Sequence, residues 1–223
     1  MDNRPANEGN HKYSVVCLIA RQCGVNLLVR LLQSSRVSVI GVFTHSKKPR
    51  SEDPRQGQRP EYSQICKLLE GRNIPLHVVD EPSEAHRMNG FEKLGKFDFL
   101  ISLSWRFLVR PHFLGQSRMA NINLHRGLLP QYRGAEPVRR MLEDGRDQAT
   151  ITAHIMVEAV DAGEILWEDH IAMTTLLEET IFDATERIKK ALEPIYPNTA
   201  VKAMNVILQR EHLPLISLEG AKT

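Results

Sequence analysis

An asparagine and a histidine stand two residues apart at the end of a strand-like segment, 120-ANINLH-125. Because side chains alternate along a strand, Asn123 and His125 point to the same side. An amide and a protonated imidazole can both donate hydrogen bonds to an oxygen on which negative charge develops. The segment therefore indicates a site at which two polar side chains meet one reacting group.

A carboxylate and a second histidine follow this pair. The motif 161-DAGEIL-166 places Asp161 before an apolar strand, and His154 lies on another predicted strand. Behind His125, Pro130 fixes a backbone dihedral, and Arg133-Gly134 puts a guanidinium next to a flexible backbone. We expect the amide, the imidazole and the carboxylate to converge at the ends of neighbouring strands.

These groups suit acyl transfer to an amine. Asn123 and a protonated His125 would supply donors for the oxyanion. We expect Asp161 to hold His125 in its charged form and to order a water that relays a proton. Since no serine or cysteine stands where a covalent nucleophile is expected, direct attack by a substrate amine is favoured over an acyl-enzyme.

The composition bounds the class of protein. The chain has 223 residues, of which 42% are hydrophobic and 25% charged, with a formal net charge of +2. These values fit a protein that acts on small molecules; no nucleic acid or membrane partner is expected, and a homo-oligomer is compatible with them. Three cysteines without ligand spacing predict free thiols and no metal. The polar start and the lack of a long apolar run predict a cytoplasmic location.

Short apolar segments alternate with amphipathic ones along the chain. Strands are predicted at 13–20, 36–45, 74–80, 97–104, 120–125, 149–157 and 163–173, and helices at 25–35, 61–72, 83–95, 111–115, 136–145, 176–193 and 198–209. This alternation predicts a doubly wound, mostly parallel α/β sheet with helices on both faces, a Rossmann-like fold. In such sheets, ligands bind beyond the carboxyl ends of the strands, which is where Asn123 and His125 stand.

The remaining segments set the expected boundaries. We predict a disordered leader at 1–11, one catalytic domain at 12–212 and a flexible tail at 213–223. The charged, proline-rich segment 46–60 predicts a mobile surface loop, with a lid or a phosphate contact as the alternative.

The motif Asn123-x-His125-x-x-Leu128-Leu129-Pro130-x-Tyr132-Arg133-Gly134, followed by Asp161-x-Gly163-x-Ile165, resembles the formyltransferase family that uses 10-formyltetrahydrofolate. That family includes glycinamide ribonucleotide transformylase, methionyl-tRNA formyltransferase and nucleotide-sugar N-formyltransferases. The resemblance extends from about Tyr13 to about Asn205.

The resemblance implies roles for particular residues. Asn123 would bind the formyl oxygen, His125 would stabilise the tetrahedral intermediate, Asp161 would move protons, and His154 would support them. The donor would bind in a pterin pocket, and the substrate would lie nearer to the first helix. The implied donor-binding residues are Trp105, Arg106, Phe107, Leu108 and Val160, and the implied substrate-binding residues are Gly24, Asn26, Arg126, Tyr132 and Arg133.

The chain departs from the family in two places. Arg126-Gly127 stands where relatives usually have a serine two residues after the histidine, and Arg126 is a candidate contact for substrate phosphate. The first strand-to-helix turn, 21-RQCGVN-26, lacks the fuller glycine-rich form that cradles phosphate in the purine enzyme. The form of this turn weighs against the purine enzyme, and the segment 132-YRGAEP-137 resembles the tRNA and sugar branches. Mainly by exclusion, we expect the acceptor to be a nucleotide-linked amino sugar, of the kind used in lipopolysaccharide O-antigen biosynthesis.

Three alternatives stay open. The purine-pathway transformylase fits the compact length and the segment 193-EPIYP-197, which resembles that branch. A 10-formyltetrahydrofolate hydrolase would release formate without an amine. A catalytically silent folate- or nucleotide-binding module is the alternative of another class, and the intact Asn123, His125 and Asp161 argue against it.

Overall fold

Seven strands form one sheet in the computed structural model, which describes residues 11–174 and 176–218. The strands are β1 (Tyr13–Ile19), β2 (Val37–Thr44), β3 (Leu76–Val78), β4 (Phe97–Leu103), β5 (Ser117–His125), β6 (Gln148–Ile155) and β7 (Ile165–Ala172). Their order in the sheet is β3-β2-β1-β4-β5-β6-β7. The expected leader lies outside the described residues, apart from His11.

The sheet is parallel from β3 to β5 and antiparallel from β5 to β7. Strands β1 and β4 are apolar along most of their length because helices and loops cover both of their faces, as parallel sheets require. The strand order reverses direction next to β1, between β1 and β4. The predicted doubly wound, mostly parallel fold is confirmed.

Seven α-helices connect or follow the strands in the described part of the chain. They are α1 (Arg21–Leu32), α2 (Pro60–Leu69), α3 (Pro82–Arg87), α4 (Pro111–Leu114), α5 (Pro137–Glu143), α6 (Ile181–Leu192) and α7 (Tyr196–Arg210). The larger core cluster lies between the sheet and helices α1 and α7, and a smaller aromatic cluster on the other face contains Phe43, Phe91, Phe97 and Phe113.

Two helix starts differ from the sequence prediction for local reasons. Helix α1 begins four residues before the predicted start, directly after β1, because Arg21 adopts a left-handed φ of 64°. Helix α6 begins five residues after the predicted start, where the Thr180 hydroxyl accepts a hydrogen bond of 3.1 Å from the Asp183 N–H. This side-chain cap fixes the first turn of α6.

The segment between β2 and α2, predicted as mobile, is folded. Lys47 forms a β-bridge with Gln58, and Arg59 is only 5% exposed. The Arg59 guanidinium donates to the Lys47 carbonyl at 3.2 Å and to the Glu52 carboxylate at 3.2 Å. Glu52 also pairs with Arg21, so the segment is attached to the first turn of α1.

The chain after α7 also packs against the domain as far as Ile216. The Asn205 side chain makes two hydrogen bonds of 2.9 Å to the backbone of Ile216, which is 2% exposed. The Tyr13 hydroxyl donates to the Pro214 carbonyl at 2.7 Å. The described part of the predicted flexible tail is therefore held against β1 and α7; 219–223 lie outside the described residues.

Replacing Ile216 with alanine should lower the free energy of unfolding by about 2 kcal/mol or more, because the substitution removes a buried side chain and leaves a cavity. Urea denaturation followed by circular dichroism measures the change. The matched control is Leu215→Ala, since Leu215 is 43% exposed and should cost little. Equal midpoints for the two variants would contradict the packed segment.

Candidate active site

A cleft of about 530 Å³ opens at the carboxyl ends of β4 and β5, a volume suited to a small-molecule ligand. The cleft brings together most of the residues singled out from the sequence. Those that line it are Trp105, Arg106, Phe107, Leu108, Asn123, His125, Arg126, His154, Val160 and Asp161.

The antiparallel pairing of β5 and β6 sets two of the polar groups side by side. Asn123 is the register partner of His154, and His125 is the register partner of Thr152. Cross-strand partners lie close enough for their side chains to touch. The Asn123 Nδ2 atom is 3.1 Å from His154 Nε2, so His154 orients the amide.

Asp161 is the meeting point of these groups. Its carboxylate oxygens lie 3.3 Å from His125 Nδ1, 3.4 Å from His154 Nε2 and 3.5 Å from Asn123 Nδ2. The backbone N–H of Gly134 donates to the same carboxylate at 3.0 Å. One buried carboxylate thus joins β5, β6 and the loop that follows His125.

The loop that carries Asp161 depends on a glycine two residues later. Asp161 adopts a left-handed φ of 50°. A Cβ atom on Gly163 would lie 1.9 Å from the carbonyl oxygen of Ile155, a distance that no side chain can occupy. Gly163 therefore allows the chain to approach the end of β6 closely enough for Asp161 to reach the histidines.

Opposing effects act on the pKa of His125. Burial lowers the pKa of His125, and the neighbouring Asp161 opposes this only in part. The ring Nε2 lies 2.7 Å from the Tyr132 carbonyl and donates to it, so Nδ1 faces Asp161. Burial would raise the pKa of Asp161, but the neighbouring His154, the hydrogen bond from the Gly134 N–H and the neighbouring His125 lower it below its ordinary value. The negative charge of the site therefore lies on Asp161.

One wall of the cleft is supported by a histidine that the sequence analysis missed. His45 stacks on Trp105 with ring centroids 4.4 Å apart, and its Nε2 accepts a hydrogen bond of 3.2 Å from the Arg106 N–H. Its Nδ1 donates to the Val79 carbonyl at 2.5 Å. The available signal was the position of His45 directly after β2, at the carboxyl edge of the sheet.

The other end of the cleft is cationic. Four cations line the cleft, and three of them have carboxylate partners: Arg21 pairs with Glu52, Arg106 pairs with Asp80, and Lys189 pairs with Glu136 and Glu186. The fourth cation is Arg126, whose Nε donates to the Tyr196 hydroxyl at 2.8 Å. Lys189, Glu136 and Tyr196 were not singled out from the sequence, and Tyr196 lay within a segment noted only for its resemblance.

Four of the expected substrate-binding residues lie outside the cleft lining. Gly24 is buried in α1 against Ile19, and the Asn26 side chain accepts a hydrogen bond of 3.1 Å from Gln22. The Tyr132 hydroxyl donates to Asp144 at 2.9 Å, and Arg133 donates to the Asp161 carbonyl at 2.9 Å. Tyr132 contacts the site through its backbone carbonyl, which accepts from His125, and Arg133 contacts it through the backbone of Asp161.

The described residues contain no group of three or more His, Cys, Asp or Glu side chains that could hold a metal ion. None of the described helices is long and apolar enough to cross a membrane.

Known proteins share the family and the fold of this chain. The family model described as formyl transferase matches residues 6–200. Glycinamide ribonucleotide transformylase 1 from Symbiobacterium toebii superposes with a TM-score of 0.64 at 22% identity, covering 91% of this chain and 92% of that chain. Phosphoribosylglycinamide formyltransferase from Brucella melitensis gives 0.62 at 22% identity, covering 94% and 100%.

A third solved structure has a different activity in its name. The formyltetrahydrofolate deformylase from Pseudomonas syringae pv. tomato str. DC3000 superposes with a TM-score of 0.62 at 18% identity, covering 92% of this chain and 63% of that chain. At these identities, the solved structures establish the shared fold.

Replacing Gly163 with alanine should displace the loop that carries Asp161. We expect a loss of about 1–3 kcal/mol of unfolding free energy, because the added Cβ cannot fit beside Ile155. The pKa of His125 should fall further, since Asp161 raises it more than the Tyr132 carbonyl does. Urea denaturation and an NMR titration of His125 measure the two effects. Gly115→Ala is the control, because its nearest neighbour would lie at an ordinary 3.6 Å; a normal His125 titration in Gly163→Ala would contradict this account.

Burial lowers the pKa of His45 to about 4, which makes the stability of the protein depend on pH. Because the folded protein prefers the neutral ring, the stabilisation is complete above the unfolded pKa of about 6.5 and is lost as pH falls through about 4. The loss attributable to His45 approaches about 3 kcal/mol.

The matched experiment compares urea denaturation of the wild type, His45→Gln and His112→Gln between pH 7 and pH 4. His45→Gln should show the weaker pH dependence, whereas the exposed His112 should leave the wild-type slope unchanged. Parallel curves for the wild type and His45→Gln would show that His45 is not buried as a neutral ring.

Proposed function

The chain belongs to the formyl transferase family, and from this premise we propose that it transfers the formyl group of 10-formyltetrahydrofolate to the primary amine of a phosphorylated small molecule. The observation that carries the proposal is the cluster of Asn123, His125 and Asp161. His125 and Asn123 lie 3.3 Å and 3.5 Å from the carboxylate of Asp161, on the floor of one cleft. An amide, an imidazole and a carboxylate at these distances can bind an oxyanion and move a proton.

The donor end of the cleft fits a flat ring. Residues 105–109 form one side, and 157–160 form the other. Leu108 and Val160 are more than half exposed, and the indole Nε1 of Trp105 is buried with no acceptor in the described part of the chain. These apolar surfaces and the backbone groups between them support binding of the pterin, and the bound donor supplies an activated one-carbon amide.

The side chains of the cluster divide the remaining work. The Asn123 amide donates a hydrogen bond to the formyl oxygen as negative charge develops there. His154 holds that amide in place at 3.1 Å. The cleft-lining residues Ser102 and Ser104 make no hydrogen bond to a histidine in the described structure, which favours direct attack by the substrate amine over an acyl-enzyme.

His125 and Asp161 together accept and return the proton that is transferred during the reaction. Because burial lowers the pKa of His125, the neutral Nδ1 is able to accept a proton from the attacking amine. The adjacent carboxylate of Asp161 then stabilises the imidazolium that forms. The same proton can be returned to the nitrogen that leaves the formyl carbon, so the cycle begins and ends with a neutral ring.

Glycinamide ribonucleotide is the first acceptor to test, although the sequence favoured a nucleotide-linked amino sugar. The segment 193-EPIYP-197 places Tyr196 at the cationic end of the cleft. The glycinamide ribonucleotide transformylases reported above share the fold over nearly their full length. These observations support a ribonucleotide-sized acceptor with an anionic group.

A nucleotide-linked amino sugar is the second candidate. It is favoured by the first turn of α1, where Arg21 pairs with Glu52 and Gly24 is buried against Ile19. This turn lacks the glycine-rich form that binds the phosphate of the ribonucleotide in the purine branch. The buried free thiols of Cys17 and Cys23 support a cytoplasmic location for either reaction.

The deciding experiment supplies 10-formyltetrahydrofolate with glycinamide ribonucleotide or with a panel of dTDP-, GDP- and UDP-linked amino sugars. Mass spectrometry identifies the formylated product. Formate release without an acceptor would identify a hydrolase, and folate binding without turnover would identify a silent binding module. If neither acceptor class is formylated, the proposed function is wrong.

Replacing Asn123 or His125 with alanine should lower kcat by about 10²–10³-fold, because Asn123→Ala loses the donor to the developing oxyanion and His125→Ala loses the proton acceptor. Steady-state kinetics with the accepted amine measures the loss, and circular dichroism checks folding. Asn121→Ala is the matched control: it lies on the same strand but does not line the cleft, and its amide donates to the Leu114 carbonyl at 3.0 Å. Full activity in both active-site variants would rule out the site.

A further inference from the structure

Arg126 is unlike the other cations of the cleft because it has no carboxylate partner within ion-pair distance in the described structure. Its only hydrogen bond there runs from Nε to the hydroxyl of Tyr196 at 2.8 Å. The two terminal nitrogens, Nη1 and Nη2, have no protein acceptor among the described residues, although the side chain is half-buried and lines the cleft. Glu193 is the carboxylate that acts on this guanidinium, through space and without a hydrogen bond or ion pair among the described residues. The two terminal nitrogens therefore keep a hydrogen-bonding capacity that an anionic ligand in the cleft would satisfy.

Tyr196 gives this guanidinium a fixed direction. The phenol is fully buried at the start of α7, and the Arg126 guanidinium lies 5.9 Å from the centre of its ring. Because Nε is held by the hydroxyl, the two terminal nitrogens form the free edge of the planar group. That edge has the geometry that binds two phosphate oxygens at once.

The position of Arg126 matches the place where an acceptor must lie. Arg126 and His125 line the same cleft, so a ligand on the guanidinium lies in one cavity with the proton-accepting pair. Arg126 also lies near Cys23 in the first turn of α1, the turn that lacks the glycine-rich form. Arg21, at the same turn, is already paired with Glu52.

We propose that Arg126 binds a phosphate ester group of the formyl acceptor through Nη1 and Nη2, with Tyr196 as the positioning residue that fixes the guanidinium. The inference rests on the proposed function for the identity of the acceptor, and it makes a phosphorylated amine the substrate class. The guanidinium of Arg126 then binds the phosphate group that a glycine-rich turn would otherwise bind with backbone N–H groups.

The test uses binding without the formyl donor, so that it is independent of turnover. Isothermal titration calorimetry measures the affinity of the wild-type protein for ribose 5-phosphate, for dTDP and for unphosphorylated ribose. We expect a phosphorylated probe to bind and ribose not to bind. Stronger binding of ribose 5-phosphate indicates a ribonucleotide acceptor, and stronger binding of dTDP indicates a nucleotide sugar.

Three variants then locate the site. Arg126→Gln should lose at least about tenfold in affinity for the phosphorylated probe, since a bidentate charged contact is removed. Arg126→Lys should also bind more weakly, because an ammonium group cannot reproduce the fork. Tyr196→Phe retains the guanidinium but releases Nε, and it should weaken binding severalfold. Arg118→Gln is the control. Arg118 lies at the amino end of β5, does not line the cleft, and pairs with the Asp98 carboxylate at 3.5 Å.

Two results would overturn the proposal: wild-type affinity in Arg126→Gln, or no binding of either phosphorylated probe to the wild-type protein. Unchanged affinity in Tyr196→Phe would remove the positioning role. If Arg126→Gln fails to fold, the affinity of Arg126→Lys for the phosphorylated probe takes its place, and wild-type affinity in that variant would overturn the proposal. If the wild-type protein binds a phosphorylated probe, Arg126→Gln loses that binding, and the wild type formylates no amine, then the proposed function is refuted and the phosphate subsite stands. Where turnover is found, Arg126→Gln should raise KM for the acceptor more than it lowers kcat.

Discussion

The site depends on one buried carboxylate. Asp161 lies within 3.5 Å of groups from β5 and β6 and accepts the N–H of Gly134, so it joins segments that are up to 38 residues apart. Its position requires a left-handed backbone at Asp161 and the bare Cα of Gly163 against β6. Without that close approach, Asn123 and His125 would still share a strand face, but the charge that orders them would be absent.

The two ends of the cleft are attached to different parts of the fold. The wall at Trp105 is held through His45 to β2 and to the Val79 carbonyl, on the side of β1–β3. The cationic end is held by α6 and α7, through Lys189 and Tyr196. Asn123 and His125 lie between them on β5. The donor and the acceptor can therefore be recognised by separate elements while the reacting groups stay on one rigid strand.

The sequence predicted the parts of the molecule that depend on local patterns. The strand and helix alternation, the shared face of Asn123 and His125, and the placement of Asp161 beside them all follow from spacing and periodicity. The role of His45 was not predictable, because its partners Val79 and Arg106 are distant in sequence. The lowered pKa of His125 was also not predictable, since the burial that lowers it is a property of the folded chain. The folded segment 46–59 depends on Arg59 reaching Glu52 and Lys47, which charge composition cannot show.

The hydrogen bond from Tyr13 to the Pro214 carbonyl has a topological consequence. It places the first residue of β1 beside the segment that follows the last helix, at the amino edge of the sheet and therefore opposite the cleft. A short covalent linker could join these two points without crossing the mouth of the cleft. The domain is thus suited to circular permutation, with new termini opened in a surface turn remote from β5, and each strand would keep its neighbours in the sheet.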